Sequence, residues 1–258
     1  MCPGALERAG CQPKQFLRLQ SHAKILPAEV DRKGACVASL IELTAGDSWR
    51  LAAYRAEPAG QPRGGIVVVQ EIFGVNSHIR SVADGFAADG YLAIAPALFD
   101  RVQHGVELGY TPEDIQAGRV FKERTAMDAA LRDVEAAIKA ASAAGKVGIV
   151  GYCWGGLVCW MAAARLEGLA CAVPYYGGGM TDQIALRPRC PVVCHFGERD
   201  AHIPLAGVKK LAAAHPGHAV HIYAADHGFN CDQRGSYDAA AAKLARERTL
   251  AFFRQHLG

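Results

Sequence analysis

The sequence of 258 residues predicts an α/β fold, with a mostly parallel sheet that carries helices on both faces and starts with an antiparallel hairpin. Short apolar runs, typical of strands buried on both faces, alternate with longer segments of helical periodicity. Ahead of them, two segments of strand composition at 39–44 and 49–54 flank the turn sequence AGD at 45–47. Since strands that alternate with helices form parallel sheets, these patterns predict one α/β domain.

The predicted elements follow one another in a regular order. The strands of the parallel part are the apolar runs 65–70, 91–95, 146–150, 171–173, 191–196 and 219–224. The helices are the periodic segments 77–88, 125–143, 157–166, 205–214 and about 237–256. Residues 97–120 are rich in Gly and Pro and are predicted to be a long irregular loop, of the kind that often binds ligands. Residues 1–38 show no sustained period and are predicted to be an irregular extension of a single domain, 39–258.

Composition and charge exclude several classes of protein. Apolar residues make up 51% of the chain and charged residues 21%, which is typical of a globular protein. Every apolar run is shorter than the roughly 20 residues of a membrane helix, and a net charge of +3 without a basic tract argues against nucleic-acid binding. The nine cysteines lie mostly in apolar runs, which indicates reduced thiols in a cytoplasmic protein. We therefore expect a soluble monomer that acts on a small molecule, with no membrane or nucleic-acid partner.

The strongest local motif is GYCWGG at 151–156, which follows an apolar strand and opens an apolar helix. Glycines on both sides of Cys153 allow the sharp turn that holds a nucleophile above a sheet. The helix N-terminus favours a thiolate there, and its free N–H groups can bind an oxyanion. The alternative is a Gly-rich helix start with an ordinary buried cysteine. The complete strand–turn–helix context favours the nucleophile.

Candidates for an acid and a base follow at the ends of later strands. Asp200 comes after the strand 191–196, and His227 comes after the strand 219–224. Nucleophile, acid, base is the chain order of the α/β-hydrolases, and all three would meet at the carboxyl edge of the sheet. Asp200 would orient His227, which would take the proton of Cys153 and later activate water. Taken separately, Asp200 is more typical of a turn and His227 of a loop.

From about Ser39 to its end, the chain resembles the dienelactone hydrolase (carboxymethylenebutenolidase) family. The matching segments are QEIFG at 70–74, GYCWGG at 151–156, YYG at 175–177, GERD at 197–200 and HGF at 227–229. The resemblance implies an α/β-hydrolase fold with Cys153, Asp200 and His227 as catalytic triad. It also implies a carboxylic-ester hydrolase that opens dienelactone to maleylacetate through an acyl-thioester, a step in the degradation of aromatic compounds.

The resemblance also gives roles to residues beside the triad. It implies that Glu71 contacts the resting thiol and releases it when substrate binds. A carboxylate at the end of a buried strand is costly unless paired, which supports such a role, although a solvated Glu at a loop edge is the alternative. The backbone N–H groups of Ile72 and Trp154 would form the oxyanion hole.

Substrate recognition is where the sequence departs from the family. Family substrates carry a carboxylate held by two arginines, and Arg101 is predicted to be the first. The second position, four residues after the catalytic His, is Cys231. Arg234 could take its place in the site, but its offset is wrong and a surface salt bridge is favoured. Gly228 stands where the family often has Ser. Tyr176 matches a pocket tyrosine, with packing against the sheet as an equal alternative.

The sequence predicts no cofactor and no metal. No Gly-rich phosphate loop follows a strand. Cys190, Cys194 and His195 lie on a strand whose alternate side chains point to opposite faces, so core packing is favoured over a zinc site. The missing second arginine leaves another small or activated ester open as the substrate. A ligand-binding relative without turnover is the alternative from a different class.

Overall fold

The computed structural model describes Met1 and residues 36–258, and its centre is an eight-stranded sheet. The strands are β1 (Val37–Thr44), β2 (Arg50–Glu57), β3 (Gly65–Val69), β4 (Leu92–Pro96), β5 (Val147–Tyr152), β6 (Leu169–Tyr175), β7 (Val193–Gly197) and β8 (Ala219–Tyr223). Their order in the sheet is β1-β2-β4-β3-β5-β6-β7-β8. The pairs β1/β2 and β2/β4 are antiparallel, and all later neighbours are parallel. The predicted α/β-hydrolase architecture, including the N-terminal hairpin, is confirmed.

Six α-helices connect and cover the strands in the described part of the chain. They are α1 (Ser77–Ala88), α2 (Pro112–Arg124), α3 (Met127–Ala141), α4 (Trp154–Arg165), α5 (Leu205–Ala214) and α6 (Ala239–His256). Every residue of β3, β4 and β5 is buried, so helices shield both faces of the sheet centre. Among the described residues, no helix has the length and apolar content needed to span a membrane.

The prediction of one irregular loop over 97–120 is wrong for much of that segment. Leu98–Arg101 form a 3-10 turn, and helix α2 begins at Pro112. The side chain of Thr111 accepts a hydrogen bond from the N–H of Asp114, and the side chain of Asp114 accepts one from the N–H of Thr111. This capping box, with proline in the first turn, starts a helix despite the flanking glycines.

The predicted extension, residues 1–38, lies almost entirely outside the described residues. Within the described range, β1 begins at Val37, two positions before the predicted strand start and inside the predicted extension. Its pairing with β2 runs from Val37 opposite Glu57 to Thr44 opposite Arg50. The first strand of the sheet is therefore longer than its composition indicated.

The strand order creates a crevice at the carboxyl ends of β3 and β5. From β3 the chain moves to β4 on one side, and it then returns to β5 on the other side. Open α/β sheets bind ligands at such a point of reversal. Glu71 follows β3 and Cys153 follows β5, so the fold brings both to the same crevice.

Candidate active site

Cys153 occupies the turn between β5 and α4, with φ 55° and ψ −117°. A positive φ is unfavourable for a residue with a side chain and costs about 1–3 kcal/mol, which the surrounding structure must supply. A Cβ atom on Gly151 would overlap the backbone oxygen of Gly155, and one on Gly155 would overlap that of Gln70. Only glycine at both positions lets strand and helix approach so closely. The motif therefore builds the sharp turn that the sequence predicts.

Cys153, His227 and Asp200 form a continuous hydrogen-bonded chain. Nε2 of His227 lies 3.1 Å from Sγ of Cys153, and Nδ1 lies 2.7 Å from Oδ2 of Asp200. The other carboxylate oxygen of Asp200 accepts a hydrogen bond of 2.8 Å from the backbone N–H of His202. With both oxygens engaged, the carboxylate is held in place and keeps a proton on Nδ1 of His227. The structure thus brings together the three residues predicted from separate strand ends.

The charges of Cys153 and Asp200 favour a protonated imidazole on His227. Burial opposes protonation of His227, but the Cys153 sulfur and the hydrogen bond with Asp200 outweigh it and raise the pKa of His227 to about 10. Burial likewise opposes ionisation of Asp200, yet the hydrogen bond and the charge of His227 lower the pKa of Asp200. The arrangement therefore stabilises an imidazolium between sulfur and carboxylate.

This electrostatic arrangement predicts a pH dependence of stability. The pKa of His227 is raised in the folded protein from its ordinary 6.5 to about 10, so its contribution to folding is complete below pH 6.5 and is lost as the pH rises towards 10. Urea unfolding of the native chain and of His227→Gln should show a stability difference that shrinks over this range. Groups that titrate in both proteins cancel in that difference. A difference that stays constant from pH 6 to pH 10 would contradict the raised pKa.

Glu71 is 1% exposed, which argues against a solvated residue at a loop edge. Its Oε1 accepts a hydrogen bond of 3.4 Å from Nη1 of Arg234, while Oε2 has no hydrogen-bond partner among the described residues. The guanidinium of Arg234 supplies the positive charge that a buried carboxylate requires. Within the described residues, the thiol of Cys153 is hydrogen-bonded to His227 and not to Glu71.

A cavity of about 360 Å³ opens in front of Cys153, a suitable size for a small molecule. Its lining consists of Ile72, Phe73, Ile115, Arg119, Lys122, Cys153, Gly178, Gly179, His202, His227 and Arg234. Arg119, Lys122 and Arg234 give this lining three cationic side chains, and none of the described lining residues is acidic. The cavity therefore favours an anionic ligand.

Sequence reasoning missed several members of this lining. Arg119 and Lys122 lie on α2, within or next to the segment that was predicted to be a loop. The capping box at Thr111 is the signal that could have placed them on a helix. His202, an exposed residue of the loop after β7, also lines the cavity, and its ring lies 5.2 Å from that of His227, edge to face.

Arg234 reaches the cavity and does not form the predicted surface salt bridge. Its side chain is 19% exposed and pairs with buried Glu71, and its Cζ lies 5.7 Å from the ring centre of Phe73. Gly228 makes this position possible, because a Cβ atom there would overlap the guanidinium of Arg234. The departure from the family at Gly228 thus explains why an arginine with an unusual offset enters the site.

Comparisons with known proteins show the family of this chain. The model of the dienelactone hydrolase family matches residues 51–257. The chain belongs to the dienelactone hydrolase family.

A carboxymethylenebutenolidase of Pseudomonas putida is 36% identical over 225 residues, which cover 82% of this chain and 94% of that protein. A Synechocystis sp. protein assigned as a carboxymethylenebutenolidase is 37% identical over 229 residues, with 81% and 93% covered. The crystal structure of a Klebsiella pneumoniae protein assigned as a dienelactone hydrolase superposes with a TM-score of 0.77 at 31% identity, covering 86% of this chain and 99% of that one.

In this dienelactone hydrolase family member, Arg101 lies away from the cavity at Cys153. Its guanidinium lies 2.7 Å from Oδ2 of Asp47 and 2.7 Å from Oδ1 of Asp133, which is fully buried. The ion pairs join the turn of the β1/β2 hairpin to α3, and they occupy the nitrogens that a substrate carboxylate would need. The placement corrects the expected position of Arg101 and favours a structural role over substrate binding.

Tyr176 and the predicted oxyanion donors also have defined places in this family member. Tyr176 is fully buried, and its ring packs 5.2 Å from that of His227, so it lies behind His227 and does not line the cavity. The N–H of Trp154 is the first in α4, so no earlier turn of the helix offers it an acceptor. Ile72 lines the cavity directly after Glu71. Ile72 thus lines the same cavity as Cys153, and Trp154 directly follows Cys153 in the chain; the role of both N–H groups stays a prediction.

Proposed function

We propose that this member of the dienelactone hydrolase family hydrolyses small lactones or esters that carry a carboxylate, with Cys153 as the nucleophile. The observation that carries the proposal is the hydrogen-bonded chain from Cys153 through His227 to Asp200, at a cavity lined by three cations. The name of the Pseudomonas putida relative supports lactone opening of the dienelactone type. The reaction class is therefore cofactor-independent acyl transfer to water.

The first half of the reaction would form a thioester. The thiolate of Cys153 attacks the carbonyl carbon, and the N–H groups of Ile72 and Trp154 stabilise the negative oxygen that develops. The carbon–oxygen bond of the ring then breaks. The leaving oxygen takes a proton from the imidazolium of His227, which leaves the acyl group on sulfur.

The second half would release the product. Neutral His227 removes a proton from a water molecule, and the hydroxide attacks the thioester carbonyl. The carbon–sulfur bond breaks, so Cys153 leaves as thiolate, and the imidazolium of His227 is restored. Asp200 stays ionised throughout and stabilises the imidazolium.

Glu71 and Arg234 would link substrate binding to activation of the thiol. A substrate carboxylate that contacts Arg234 competes with Glu71 for the guanidinium, since these two are the paired charges at the cavity. Glu71, once released, can accept the proton of the Cys153 thiol, and it returns this proton to the thiolate after the product leaves. We propose Glu71 as this proton acceptor and Arg234 as the group that senses the substrate anion.

The experiment that tests the anionic substrate compares dienelactone with a neutral aryl ester. Arg119→Ala should lower kcat/KM for dienelactone about five- to tenfold, because it removes a charged contact for the substrate at the cavity. The kcat/KM for the neutral ester should change less than about twofold. Arg124→Ala is the matched control, since Arg124 is an exposed arginine on the same helix outside the lining. Equal losses on both esters would contradict the proposed role of the cationic lining.

A further inference from the structure

Three side chains from distant parts of the chain meet behind the active site and form what we call the buried triplet: Glu71, His78 and Cys231. One ligand atom from each, a carboxylate oxygen, an imidazole nitrogen and the sulfur, lies within 4.8 Å of the other two. Their exposed fractions are 1%, 3% and 0%. Glu71 follows β3, His78 lies in the first turn of α1, and Cys231 lies in the loop after β8. The fold therefore assembles an oxygen, a nitrogen and a sulfur donor at one shielded point.

Two of these side chains carry buried polar atoms without a partner. Oε2 of Glu71 and Nε2 of His78 make no hydrogen bond with any described residue. Nδ1 of His78 lies 3.2 Å from Oδ1 of Asp232. That carboxylate favours a proton on Nδ1, which leaves Nε2 with a free lone pair. A carboxylate behind a histidine, with the other ring nitrogen free, is the usual arrangement around histidines that bind metals.

We propose that the buried triplet binds a zinc ion. Thiolate, imidazole and carboxylate are the donors that Zn²⁺ takes in proteins, and three protein ligands leave a fourth position for water. Tetrahedral zinc with ordinary bond lengths separates such donors by roughly 3.3–3.8 Å, so the triplet has to contract by at most about 1.5 Å. On binding, the sulfur of Cys231 exchanges its proton for the metal, and the proton leaves to solvent.

A second cavity, apart from the one at Cys153, borders the triplet at His78. It has a volume of about 380 Å³ and is lined by His78 and Asp232 together with Tyr152 and Arg246. An ion that enters from this cavity has to pass only the buried side chain of His78 and does not pass Cys153. This site could not be predicted from the sequence, because its three donors share no short spacing pattern.

Zinc at the buried triplet would slow hydrolysis. A metal-bound carboxylate of Glu71 is no longer available to Arg234 or to the thiol proton, so the activating step proposed above would be blocked. This consequence rests on the proposed function. The binding of zinc does not depend on it and can be measured in a protein that lacks the nucleophile.

The test uses the full chain with Cys153→Ala, which removes the catalytic thiol as a competing ligand. Calorimetric titration with zinc chloride should show one site of micromolar or tighter affinity. Adding Cys231→Ser or His78→Ala should weaken it more than about 100-fold, and Asp232→Asn about tenfold. Cys190→Ser, at a buried cysteine outside the triplet, should leave the affinity unchanged. Cobalt in place of zinc should give a thiolate-to-metal charge-transfer band that Cys231→Ser removes.

Two results would overturn the site. The first is a zinc affinity that stays unchanged when Cys231→Ser or His78→Ala is added. The second is the lack of a charge-transfer band when cobalt is added to the folded Cys153→Ala protein. The cobalt spectrum decides the question even if a triplet variant fails to fold. In the chain with its native Cys153, zinc inhibition that survives in His78→Ala would contradict the inhibitory role. Absence of hydrolysis before any zinc is added would count against the proposed function alone.

Discussion

Replacing Cys153 with Ala should abolish hydrolysis of both dienelactone and a neutral aryl ester while the fold stays intact. Without the sulfur no thioester can form, and the remaining groups cannot supply a nucleophile of similar strength. We expect kcat to fall by at least about 10⁴-fold, the scale seen when a nucleophile is removed from a triad. Stability should change little, because alanine keeps both the Cβ atom and the strained φ of 55° at this turn. Turnover assays and thermal melting of the same preparation measure the two effects.

The matched control is Cys36→Ala, which removes an exposed thiol outside the cavity and should leave both rates unchanged. If Cys153→Ala retains turnover with a native melting curve, another group is the nucleophile and the assignment fails. If the native chain itself hydrolyses the aryl ester but not dienelactone, its substrate is another small or activated ester. If it hydrolyses neither, the chain belongs with ligand-binding relatives.

Replacing Arg101 with Ala should lower the free energy of unfolding by about 3–5 kcal/mol, because it leaves the fully buried carboxylate of Asp133 without its ion-pair partner. Urea denaturation measures the change. Arg132→Ala is the matched control, since Arg132 pairs with the partly exposed Asp47 and should cost only a small fraction of that amount. Adding Asp133→Ala to Arg101→Ala should recover part of the loss, since it removes the unpaired charge.

The same Arg101 variant separates two interpretations of this residue. A structural arginine predicts lower stability with similar relative rates on dienelactone and on a neutral ester at a temperature where the protein is folded. A substrate-binding arginine, which the family resemblance implies, predicts native stability and a loss confined to dienelactone. The second result would mean that Arg101 leaves Asp47 and Asp133 when substrate binds.

The sequence was most informative where a function depends on local backbone geometry. Cys153 could be placed because glycines on both sides of a nucleophile, between a strand and a helix, have one main structural use. Asp200 and His227 followed because parallel strands end at the same edge of a sheet. Both deductions require only the order of elements along the chain.

The side chains that shape the cavity could not be predicted in the same way. The position of Arg234 depends on the missing side chain of Gly228, and that of Arg101 depends on Asp133, which lies 32 residues later on another helix. Such contacts come from packing between elements, which spacing along one segment does not encode. Arg119 is the exception, because the sequence of the capping box, Thr111 followed by Asp114, can be recognised ahead of α2.

His227 lies just beyond β8, the last strand of the sheet, which among the described residues pairs only with β7 and has two of its five residues exposed and two partly buried. The nucleophile, in contrast, follows β5 in the fully buried centre. Edge strands open more readily than the interior in native proteins, so fraying of β8 would carry away the base while the rest of the sheet persists. We therefore expect hydrolysis to be lost through local opening of β8 at a lower temperature or denaturant concentration than global unfolding.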